Sequence, residues 1–202
     1  MNRLRKIFLE TDMTWRRVIL FALVCGVVVG ALMIPEFLDR TSFQQPGITF
    51  EFWVAAALYI ILNCDKPLEA GVKTFVFFLI SQPLIYLVQV PFSWMHWGLF
   101  SYYPRWGLLT LLTFPGGILA WYAKKGNWWS VLLLSMANAA AFLPLPSLVL
   151  WMIDSFPRYL LAVLFIPAEA VFFIFLLLKK REMRLAALLI ALLLLLLIAF
   201  VL

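Results

Sequence analysis

The sequence predicts an all-α protein, a polytopic helical bundle in a lipid bilayer with about seven transmembrane helices and a cytoplasmic N-terminus. Three observations predict it. Of 202 residues, 65% are hydrophobic and only 13% charged, against roughly 45–50% and 25% in soluble domains. Apolar runs of bilayer length recur between charged, Pro- or Gly-containing turns, and a hydrocarbon core of about 30 Å takes about 20 apolar residues per helix. Basic residues fall on alternate turns, as the positive-inside rule requires. A soluble core of this length has no room for so much apolar surface, and disorder needs the opposite bias, few aromatics and high charge.

Seven runs qualify: about Arg17–Ile34, Phe50–Asn63, Ala70–Val90, Trp106–Ala123, Asn127–Phe142, Arg158–Leu178 and Arg184–Leu202. The second and fifth are short, and the count falls to six if the last, or the short fifth, is not a full span. Residues 143–156, with Pro144, Pro146 and Trp151, either extend the fifth span or lie flat at the interface. The chain reads as one transmembrane domain, 1–202, with a short basic cytoplasmic segment at 1–16 and a Leu-rich anchor helix at 184–202.

The first run follows a basic segment and is longer than a signal-peptide core, without a small-x-small exit, so it reads as an uncleaved anchor. In Leu23-Val24-Cys25, Val24 stands where a lipoprotein box needs a small residue. Ala22, Gly26 and Gly30 recur every four residues and clear one face for close backbone approach. That stripe packs against a helix of the same chain, or docks a partner subunit or a second copy.

With the N-terminus inside, 13 of the 16 basic residues lie on the cytoplasmic side and only Arg40, Arg105 and Arg158 outside. The net charge of +6 therefore describes orientation, with no nucleic-acid partner implied. The C-terminus is outside if there are seven spans. The cytoplasmic turn before the third span carries Asp65, Lys66, Glu69 and Lys73. Asp65, Glu69 and Lys73 share a helix face, and Glu69 precedes Lys73 in the favourable i,i+4 order. Acids in a first turn beside Pro67 make an ordinary helix start; alternatively these charges meet a lipid headgroup or a cytosolic partner, or supply acid/base groups at the inner surface.

Polar groups converge at one depth. Counted at 1.5 Å per residue from the cytoplasmic ends, Gln82, Thr113, Asn138 and Glu169 lie roughly 13–18 Å in, on spans three to six. Pro83, Pro115 with Gly116 and Gly117, and Pro167 sit at the same level. Irregular backbone at that depth is tolerated only against protein or a water-filled cavity, and broken transporter helices use it to bind solutes. Thr110, Thr113 and Gly117 give the fourth helix one inward face, as Gln82 and Gln89 give the third. Glu169 is the costliest member, charged by insertion scales at about 3 kcal/mol. Protonated, it donates to Asn138 or Gln82; ionised, it needs a cation or solute ammonium, since no basic residue shares its depth. The plainer account is interhelical hydrogen bonds and proline kinks.

The outer loop 91–106 packs Trp94, Trp97, Tyr102, Tyr103 and the sole histidine, His96, with Trp106. It reads as an interfacial belt, or as an aromatic lid over a cavity mouth. The inner hairpin 121–129 repeats the pattern around Lys124, Lys125, Gly126 and Asn127, its lysines at the anionic leaflet.

One histidine and two well-separated cysteines, Cys25 and Cys64, build no metal site. No phosphate loop, H-E-x-x-H or G-x-S-x-G appears, so no cofactor is expected and an enzyme is the less favoured class. The expectation is a small prokaryotic plasma-membrane protein binding or transporting a small solute or ion at Gln82, Thr113, Asn138 and Glu169, alone or as the membrane subunit of a larger complex. The alternatives are a lipid-headgroup enzyme using Asp65, Lys66, Glu69 and Lys73, and a non-catalytic assembly or immunity-type partner docking through helix 1.

Overall fold

The structure is a computed structural model that describes residues 8–39, 41–47 and 49–201. Arg3, Arg5 and Lys6 of the basic N-terminal segment, together with Arg40 and Leu202, lie outside the described residues. The fold is all-helical: α1 (Trp15–Leu32), α2 (Glu51–Leu62), α3 (Pro67–Gln89), α4 (Tyr103–Trp121), α5 (Trp128–Phe142), α6 (Leu145–Asp154), α7 (Leu160–Leu177) and α8 (Arg181–Val201), with short 3-10 turns between several of them.

Among the described residues, five stretches are long and apolar enough to cross a membrane: Trp15–Leu32, Pro67–Gln89, His96–Lys125, Trp128–Asp154 and Leu160–Leu177. They make this an integral membrane protein. The other two candidate runs are α2 and α8. Helix α2 has 12 residues, about 18 Å of rise, well short of the hydrocarbon core. Helix α8, Arg181–Val201, carries its charges Arg181, Glu182 and Arg184 in the first turn and is apolar from Leu185 onward, and the side chains of its last residues lie outside the described residues. Residues 143–156 extend the fifth run: Leu143 and Pro144 keep helical dihedrals between α5 and α6, so Pro144 kinks the stretch without ending it.

Local signals place the helix starts. Thr14 caps α1 by accepting from the Arg17 amide at 3.4 Å. Pro67 opens α3 with Glu69 in its first turn, and Asn127 with Ser130 forms a reciprocal cap on α5. The outward faces are apolar, with Leu108, Leu111 and Leu119 of α4 and Leu189, Leu193 and Leu197 of α8 all exposed. That is the pattern for helices solvated by lipid tails.

The chain divides into two compact units, Met1–Trp121 and Tyr122–Leu202, where the sequence reads as one domain. In the first, α3 is the hub, packed by α1 on one side and α4 on another, with α2 alongside. Its core gathers Val18, Ala22 and Val29 of α1, Trp53 and Ile60 of α2, and Phe77, Phe78 and Ile85 of α3. Phe77 meets Phe21 and Trp53 with ring centroids 5.1 and 6.1 Å apart. In the second unit α5 packs on α8 and α7, and Leu148, Ala162 and Ile166 form a smaller core.

Candidate functional site

The first unit's packing follows from its glycines. A Cβ at Gly26 would lie 2.8 Å from the Ser81 carbonyl oxygen, and one at Gly30 would lie 2.9 Å from that of Ile85. Helices α1 and α3 therefore run parallel with backbones in contact, and the Ala22, Gly26, Gly30 stripe is covered by the chain's own third helix. On another side a Cβ at Gly71 would lie 2.7 Å from the Phe114 carbonyl, and one at Gly117 would lie 3.0 Å from the Gly71 Cα. That contact fixes the antiparallel register of α3 and α4.

Polar residues occupy the seam. At about 100° per residue, Gly71, Thr74, Phe78, Ser81, Gln82, Ile85 and Gln89 share one arc of α3 roughly 100° wide. Thr74, Ser81 and Gln82 are 2%, 0% and 3% exposed. Seven residues from the Gly71/Gly117 contact, Thr110 comes level with Phe78, within about 6 Å along the axis of both Thr74 and Gln82. Thr110 is buried too. Among the described residues Thr74 Oγ1, Ser81 Oγ, Gln82 Nε2 and Thr110 Oγ1 have no hydrogen-bond partner. Each such atom costs about 1–3 kcal/mol when nothing satisfies it. Four on one seam set this surface apart from a satisfied helix interface.

At its far end the same arc reaches a cavity. Gln89, whose Nε2 donates to the Ile85 carbonyl at 2.9 Å, lines a space of about 300 Å³ with Glu36, Asp39, Ser93 and Trp94. Asp39 Oδ1 accepts from Gln44 Nε2 at 2.9 Å. The mouth thus combines two carboxylates with an aromatic face.

Of the four residues placed at one depth by the sequence, Gln82 and Thr113 lie in the first unit and Asn138 and Glu169 in the second. Thr113 is spent locally, its hydroxyl donating to the Thr110 carbonyl at 2.6 Å. Thr110 is the open member of that pair. Asn138 is buried with Nδ2 unpartnered among the described residues, on α5. Glu169 lies half-buried on α7, which packs against α5. The expected breaks at Pro83, Pro115 and Pro167 are absent: α3, α4 and α7 continue through their prolines. One missing amide bond is tolerable where neighbouring helices absorb the kink, whereas an unwound turn exposes several groups to lipid.

The outer aromatics do not form a cage. Trp94 alone of that set lines the cavity, 88% exposed. Trp97 stacks on Phe100 at 5.9 Å, and Tyr103 packs against Phe100 and Tyr86. Tyr102 is exposed, and His96, at a positive φ of 44°, has its Nδ1 3.3 Å from the Val90 carbonyl.

The charged turn is engaged in holding the fold. Lys73 is buried, pairs with Glu69, donates to the Met13 carbonyl and lies 5.7 Å from the Trp15 ring centroid. Glu69 also accepts from the Asp65 amide at 3.1 Å, while Asp65 and Lys66 are exposed. The sequence reading missed Asn63, which ties this turn to the preceding segment: its side chain donates to Phe8 and Tyr59 carbonyls at 3.0 and 2.8 Å and accepts from the Thr11 amide at 2.8 Å. It also missed Thr74 and Ser81, although projection of the third span onto a helix puts both beside Gln82.

Compared with protein-family models, curated proteins and solved structures, the chain matches none. What fold and geometry define is an all-helical integral membrane protein whose first unit carries an unsatisfied polar seam and, farther along the same helix, a cavity lined by Glu36, Asp39 and Gln89. Among the described residues no group of His, Cys, Asp and Glu is arranged to hold a metal ion.

Proposed function

We propose that this chain is a multi-pass protein of a prokaryotic plasma membrane, N-terminus inside, that binds or conducts a small polar solute or cation along the seam of Thr74, Ser81, Gln82 and Thr110. The observation that carries the reading is the four unpartnered polar atoms buried on that seam. Hydroxyl and amide groups of this kind replace the hydration of a small guest. Glu36 and Asp39 at the cavity mouth concentrate cations there through their field, and the Trp94 face adds attraction for ammonium groups. The seam is polar without resident charge, as suits a guest that must also leave.

The test is a thermal-shift screen of the purified protein in micelles against alkali cations, ammonium and small methylammonium ions. A subset stabilises the wild-type protein. Gln82→Leu and Thr110→Val abolish that stabilisation and remain folded, and Glu36→Gln with Asp39→Asn weakens it. Undiminished stabilisation in both Gln82→Leu and Thr110→Val would overturn the assignment. Glu169→Gln, in the second unit, leaves it in place.

A further inference from the structure

The second unit holds a feature that this reading does not use. Gly126 adopts a positive φ of 66°, and a Cβ there would lie 3.4 Å from the Leu177 carbonyl oxygen. Two turns distant in sequence, 122–127 and 177–181, are thereby side by side. Between them they carry Lys124, Lys125, Lys179, Lys180 and Arg181, with Arg184 one turn into α8. Lys125, Lys179, Lys180 and Arg181 are exposed. Arg184 is oriented from below, its Nε donating to the Leu178 carbonyl at 2.6 Å and its guanidinium 4.5 Å from the Phe175 ring centroid. Lys125 sits 4.7 Å from the Tyr122 ring centroid. Glu182 is the one acid in these turns, against six cations.

The surroundings give the patch a depth. Trp128 and Trp129 are 63% and 67% exposed at the start of α5, and exposed tryptophans belong at the headgroup level of a bilayer. Helices α5 and α8 both begin at this end, and the positive ends of their dipoles add to the potential of the side chains. A cluster of four to eight Lys and Arg beside a membrane helix is the pattern that attracts an anionic lipid surface. Here the cations come from two turns brought side by side at Gly126 and Leu177, so they are gathered from two segments instead of trailing along one.

We propose that these paired turns form a specific site for an anionic phospholipid headgroup, best filled by a lipid bearing two phosphates, with Lys124 and Lys125 on one side and Lys179, Lys180 and Arg181 on the other. The site rests on the second unit alone and is independent of the seam in the first.

The experiment uses the full chain in detergent micelles, where insertion orientation has no influence, and counts retained lipid by native mass spectrometry after adding diphosphatidylglycerol, phosphatidylglycerol or phosphatidylcholine. The wild-type protein retains diphosphatidylglycerol at least tenfold more than phosphatidylcholine, and retention falls with salt. Lys124→Gln with Lys125→Gln, or Lys179→Gln with Lys180→Gln, each lowers retention several-fold, whereas Arg replacements at the same positions keep it and show that the fold is intact. Inorganic pyrophosphate at millimolar concentration does not displace the lipid; displacement would mean a soluble phosphate site and overturn the assignment. Equal retention of the three lipids, or loss from only one of the two turns, would overturn it as well.

Discussion

Two serines, both fully buried, are treated in opposite ways. Ser135, on α5 of the second unit, has its hydroxyl 2.7 Å from the Val131 carbonyl and 3.1 Å from that of Ala187 on α8. Ser81, on α3 of the first unit, has a hydroxyl with no partner. The first is an interhelical fastening of the sort that holds bundles together in lipid, worth about 0.6 kcal/mol on average. The second sits with Thr74, Gln82 and Thr110 on a seam that tight glycine packing buries but leaves unsatisfied. Burial of polar groups in a membrane bundle therefore does not identify a site; burial without partners is what separates a fastening from a candidate binding surface. Lys73 belongs with Ser135, since each of its contacts is made.

Four substitutions sharpen or break that contrast, read as changes in unfolding free energy in micelles. Gly71→Val drives a side chain into the Phe114 carbonyl and Ile118 and is expected to cost about 3 kcal/mol, the upper part of the usual overpacking range. Lys73→Met removes the partner of Glu69 and the donor to Met13. Because Glu69 remains 32% exposed, the cost is about 2 kcal/mol, below that of a fully buried broken pair. Ser135→Ala loses the α5–α8 fastening at about 1 kcal/mol. Ser81→Ala removes an atom that had no partner to lose, so the ligand-free protein changes by less than about 0.5 kcal/mol or gains stability. If Ser81→Ala costs more than Ser135→Ala, the contrast fails.

Much of the fold was legible because lipid permits few solutions. Apolar run length alone located α1, α3, α4, α5 and α7, and left the stretch 143–156 open between an extension of α5 and an interfacial segment. The second run was already short in the sequence, but its role as a 12-residue helix packed beside the α3 hub is a property of packing that run length does not encode. The site was legible in part. Gln82 stood out as an amide in an apolar run, and Thr110 and Gln89 were placed on inward faces. Thr113 misled because a threonine hydroxyl can satisfy itself on the carbonyl one turn back, which sequence does not reveal. The prolines misled in a similar way: their spacing marks possible breaks, but the neighbours that absorb a kink are a property of packing. The Glu36 and Asp39 cavity depends on how residues 33–39 come to lie beside Gln89 of α3, which no local pattern encodes.

The most direct test is accessibility to a water-borne reagent. In a background carrying Cys25→Ala and Cys64→Ala, Gln82→Cys, Thr110→Cys and Ser135→Cys are exposed to a small cationic methanethiosulfonate in membranes. Gln82→Cys and Thr110→Cys are expected to react, more slowly when a stabilising cation is present, and Ser135→Cys is expected to stay unmodified. Equal inertness of all three would show the seam to be as closed as the fastening and would contradict a solute-binding first unit.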